Sequence, residues 1–122
     1  MNALKPLILA AALAAASPAV AEKVGANGGT VTVAGHHAVE FVASGTELAF
    51  FLQDEDGKPM ATAGMTARAV VADGGKTSTV TLAAAVPNRF TGTLVAPLGR
   101  GARVVFSTRA HGHALQARFE RK

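Results

Sequence analysis

An all-β domain, a single antiparallel β-sandwich of seven or eight strands, is the fold this sequence predicts. Three observations predict it. After residue 21 no stretch shows a convincing helical period. Apolar and polar residues instead alternate with the two-residue period of half-buried strands, most plainly Leu48, Phe50 and Leu52 against Glu47, Ala49 and Gln53. Glycine and other turn formers recur roughly every ten residues, the rhythm of a sandwich or a barrel.

The first residues read as an export signal rather than as part of the fold. Lys5 is the lone charge ahead of an apolar run from Leu7 to Ala16, Ser17-Pro18 breaks that run, and Ala19-Val20-Ala21 is a small-x-small cleavage site. The run is about half of what spans a bilayer, so it is expected to be removed and not to anchor the chain. Residues 1–21 are thus assigned to a cleaved signal peptide and 22–122 to one β-domain, with Glu22 as the mature terminus. The chain has no cysteine. Disulfides, thiolate metal sites and cysteine nucleophiles are therefore excluded, and packing alone must stabilise the domain in an oxidising periplasm.

Alternation also predicts registers, because a slip of one residue moves the apolar set to the wrong face. From Gly29 to Ala43, bringing Val31 and Val33 together with His37, Val39, Phe41 and Ala43 requires Val33 opposite His37 and Val31 opposite Val39. That leaves a three-residue loop, Ala34-Gly35-His36. The strand from Thr46 to Gln53 ends at the turn formers Asp54-Glu55-Asp56-Gly57-Lys58-Pro59, and Asp54 to Gly64 is long enough to cross between sheets. A two-residue Gly74-Gly75 turn pairs Val71 with Ser78, Ala69 with Val80 and Ala67 with Leu82. Phe90, Gly92 and Leu94 point inward on a strand bracketed by Pro87 and Pro97. A two-residue His111-Gly112 turn sets Val104 opposite Phe119 and Arg103 opposite Glu120. Hairpins of this kind joined by one long crossing suggest an immunoglobulin-like architecture.

Histidine is the one plausible metal-binding residue type. His36, His37, His111 and His113 all fall in hairpin loops or at their rims, and imidazole suits copper, zinc or nickel. Turn histidines are also commonly just solvated; a shared site needs both hairpins to end at the same rim. Met60 and Met65 are read as packing residues rather than Cu(I) ligands. Asp54-x-Asp56-Gly57 lacks the later oxygen ligands of a calcium loop and reads as a turn tip. The Gly28-Gly29 and Gly74-Gly75 doublets precede strands, so they are turns rather than phosphate loops. Ser44, Ser78 and Ser107 carry no nucleophile motif, and no enzyme is expected.

Gly28-Gly29 before a strand, His36-His37-Ala38-Val39-Glu40-Phe41-Val42, the segment Leu52 to Pro59, and Ala117-Arg118-Phe119 together resemble a small periplasmic β-sandwich domain of heavy-metal efflux systems. Domains of that kind occur as stand-alone proteins and at the N-terminal side of some metal-efflux adaptor subunits. Such domains often carry a histidine before the paired glycines, where this chain has Asn27. The resemblance implies a periplasmic role near metal handling, as a chaperone or an adaptor accessory.

The net charge is +4, and it is unevenly spread. Seven acidic and three basic residues lie between Glu22 and Gly74; one acidic and eight basic residues lie between Gly75 and Lys122. The favoured reading sets acidic and basic strands side by side, with binding to an acidic partner surface as the alternative. With no Tyr or Trp to stack bases, and with export expected, nucleic acid is not an expected partner. The function expected is an exported, non-catalytic periplasmic protein that handles copper, zinc or nickel for an efflux system. The alternative is a metal-independent module that binds another envelope protein, such as an efflux adaptor.

Overall fold

The computed structural model describes residues 23–122 except residue 111. The expected signal peptide, Glu22 and His111 therefore lie outside the described residues. The rest is all-β, in nine strands: β1 (Lys23–Val24), β2 (Thr30–Ala34), β3 (His37–Ser44), β4 (Glu47–Gln53), β5 (Ala67–Asp73), β6 (Lys76–Ala85), β7 (Arg89–Thr93), β8 (Arg103–Ala110) and β9 (His113–Glu120). They form one antiparallel sheet in the order β1-β2-β3-β4-β7-β6-β5-β8-β9. The sheet curls nearly into a barrel, because β2 comes back against β9 and the Thr32 hydroxyl donates to the carbonyl of Arg118 at 3.0 Å.

Alternation determines which residues fill the interior. Leu48, Phe50 and Leu52 are fully buried on β4, and Val104 and Phe106 on β8. The phenylalanines stack across the interior. Phe50 lies 4.7 Å from Phe106 and 5.2 Å from Phe41 between ring centroids, and Phe41 lies 5.1 Å from Phe119. Ring separations of this size add about 0.5–1.5 kcal/mol per pair beyond area burial.

The β5–β6 and β8–β9 registers are those that alternation predicts, Val71 opposite Ser78 and Arg103 opposite Glu120 included. The β2–β3 register is not. Ala34 opposes His37, Val33 opposes Ala38 and Val31 opposes Glu40. The loop is thus the two-residue Gly35-His36, with φ of 53° and 69°. Two successive positive φ angles give a turn whose twist matches the flanking strands, which a longer loop does not require. Val31 and Val33 consequently belong to the outer face rather than to the interior.

The crossing after β4 carries the chain past β7 and β6 to β5. It is held by backbone: the Met60 N–H donates to Leu52, and that of Thr62 to Pro87. The fully buried Thr62 hydroxyl donates to the carbonyl of Arg89 at 3.1 Å. Because neighbouring strands are all antiparallel, this crossing, the β2–β3 turn, the β6–β7 turn and the β8–β9 turn share one end of the sheet.

A candidate metal-binding rim

The structure brings both histidine-bearing hairpins to that same end. His36 occupies the second position of the β2–β3 turn, left-handed and exposed. His37 opens β3, half-buried, on the same face as Val39, and its Nδ1 lies 2.9 Å from the Gly35 carbonyl oxygen. A ring whose Nδ1–H donates to a carbonyl is the tautomer in which Nε2 carries the metal-binding lone pair. His113 opens β9 opposite Ala110 and is exposed.

The two tips are not level. A methyl group at Gly35 would lie 3.8 Å from Leu115 Cδ1. His113 is two residues nearer the β8–β9 tip than Leu115, about 7 Å further along the strand. Among the described residues no group of three or more histidine, aspartate or glutamate side chains is gathered as a metal site. Met60 is buried and Met65 packs against the core, so both serve as filling.

Asp54 stands beside His37 at this rim and closes the turn that follows β4. One carboxylate oxygen accepts from the backbone N–H of Asp56 at 2.8 Å and of Lys58 at 3.0 Å. The Lys58 N–H bond is the largest cause that holds this carboxyl below the usual aspartate range; the Asp56 bond and the electrostatic influence of the Lys58 and His37 side chains act in the same direction, while partial desolvation opposes them. A group with a depressed folded pKa contributes stability that is fully present above its unfolded pKa and is lost as pH falls through the folded one. The window therefore opens near the ordinary value of 3.8 and extends below it. Urea midpoints are expected to fall more between neutral pH and this window in the wild type than in Asp54→Asn.

A second polar feature lies on the outer face of β2 to β4, and alternation alone does not reveal it. Glu40 is 6% exposed although its strand parity points it away from the interior. The turn from Gly25 to Gly29 folds over it. Its carboxylate accepts from the Asn27 N–H at 2.9 Å, the Asn27 side-chain amide at 3.0 Å and the Gly29 N–H at 2.7 Å. A cleft of about 300 Å³ beside it is lined by Val24, Val31, Val33, Phe51 and Gln53 among others. Three charge-assisted hydrogen bonds explain how the carboxylate tolerates burial. Gly25 and Gly29 are required there, since an added Cβ would meet the Glu40 carboxylate at Gly25 and the Phe41 carbonyl at Gly29. No residue pattern announces such a latch, because two of its three donors are backbone amides. No family model, curated protein or solved structure matches the chain.

Proposed function

We propose that this is an exported, non-catalytic protein of the periplasm that binds a transition-metal ion, copper, zinc or nickel, through histidines of one rim. The observation that carries the reading is the shared end of the β2–β3 and β8–β9 hairpins, which puts His36, His37 and His113 on one rim of the sheet. His111 joins them by its place in the sequence. With the two tips offset, a pair of imidazoles on either hairpin is the unit of binding, and solvent or a partner completes the coordination. A metal held at an open rim suits transfer to an efflux adaptor better than permanent storage.

The immunoglobulin-like sandwich belongs to the same reading. What supports it is β6, which pairs with β5 as far as Leu82 and with β7 from Ala83 onward. A strand that changes partners bends the sheet and lets its two halves face each other as layers.

Calorimetric titration of the mature protein with Cu(II), Zn(II) and Ni(II) tests the proposal. Saturable uptake of one ion at micromolar concentration is expected, abolished when all four histidines are replaced by alanine. No uptake, or uptake unchanged in that variant, sinks it. A metal-independent interaction module is the second reading, favoured by Val24 and Val33, which are 80% and 65% exposed beside the Glu40 cleft. A partner retained from an envelope extract in the presence of a chelator would decide for it.

A further inference from the structure

Four arginines, Arg68 and three of the six that follow Gly74, lie on one face of β5, β8 and β9. β8 pairs with β5 on one side and β9 on the other, so directly opposed residues of the three strands form rows across the sheet. Four successive outward rows each hold one guanidinium. Arg109 stands opposite Ala114. Arg68 shares a row with Ser107 and Gln116. Arg118 shares one with Val70 and Val105, and Arg103 shares one with Ala72 and Glu120. All four arginines are exposed, and Glu120 is the single carboxylate among these rows.

The spacing selects the ligand. Rows lie two residues apart along the strands, about 7 Å, which is also the separation of alternate side chains in an extended peptide. A chain laid along the strands would bring a carboxylate to one guanidinium per row, and a guanidinium pairs with a carboxylate through two parallel hydrogen bonds. No aromatic side chain lies on these rows, so single-stranded nucleic acid would find no stacking platform. The apolar side chains present, half-buried Val70 and Val105 with Ala72 and Ala114, are too short to insert into a lipid surface.

We propose that the outward face of β5, β8 and β9 is a docking surface for an extended acidic segment of a partner protein, with carboxylates at alternate positions. It requires no metal and is independent of the histidine rim.

Fluorescence anisotropy of a labelled peptide of alternating Glu and Thr, measured on the mature protein with a chelator present, tests this. Binding is expected to weaken as salt rises and to be about tenfold weaker for the double variant Arg68→Glu/Arg118→Glu. The neutral variant Arg68→Gln/Arg118→Gln, milder for the fold, is expected to fall between it and the wild type. Equal binding of the Gln-Thr peptide, or unchanged affinity in a folded double variant, overturns the proposal. Tighter binding of a single-stranded oligonucleotide or of phosphatidylglycerol vesicles also overturns it. So does self-association by sedimentation that the double variant abolishes, because the occupant would then be the acidic turn of a second copy.

Discussion

Replacing Phe50 by alanine is expected to lower the stability of this domain by about 3–5 kcal/mol, the usual cost of truncating a fully buried phenylalanine. The reason is its position. Phe50 has no exposed surface and its ring contacts those of Phe41, Phe106 and Phe119, which come from three other strands. Removing it opens a void where both halves of the curled sheet meet, and the remaining rings cannot all collapse into it. Domains of this size hold about 5–15 kcal/mol in total, so the variant should be marginal at physiological temperature. At roughly 4–8 °C per kcal/mol, a melting point at least 12 °C below wild type is expected by circular dichroism. The neighbouring Phe51→Ala is the control. Phe51 is half-exposed on the outer face, where the Arg89 guanidinium sits 5.9 Å from its ring centroid, and a much smaller loss is expected. Equal losses at the two positions would show that the stacked phenylalanines are not the stability centre.

Glu40→Gln is expected to cost about 1.5–3 kcal/mol, the range for hydrogen bonds to a charged acceptor. The substitution preserves volume but leaves one oxygen where the carboxylate presents two. If the remaining oxygen keeps the two backbone N–H bonds of Asn27 and Gly29, the amide group that replaces the other turns its own hydrogens toward the Asn27 side-chain amide, donor against donor. β1 pairs with β2 over only two residues, so the latch is the principal hold on the segment before β2. Hydrogen exchange should therefore quicken at Asn27 and Gly29 well before it does at Phe50. Loss of stability without faster exchange at those two amides would mean that Glu40 acts on β3 itself and not as a tether.

Several registers were legible because two independent constraints agree there. In β5–β6 the glycine pair and the apolar alternation demand the same pairing, and in β8–β9 the opposite charges of Arg103 and Glu120 reinforce it. In β2–β3 the alternation of Val31, Val33, Val39 and Phe41 is compatible with two loop lengths. Assuming that every valine belongs inside selects the wrong one. Val39, Glu40 and Phe41 are buried in succession, so this strand is covered on both faces and the rule of one buried face fails there.

The candidate rim was half legible. The histidines announced themselves by type and by their place at turns. Whether two hairpins far apart in sequence open at the same end depends on strand order, which local spacing does not encode.

The amino-acid sequence by itself determined the all-β class, most strand positions and the inward set led by Leu48, Phe50 and Leu52. All of these follow from local alternation and turn chemistry. Only the tertiary structure decided three further points: the return of β2 to β9, the gathering of four arginines on one face, and the burial of Glu40 beneath the Gly25 to Gly29 turn. Each depends on contacts between segments whose side chains carry no mark of one another: the curl of the sheet makes the first, strand order the second, and a turn laid across β3 the third.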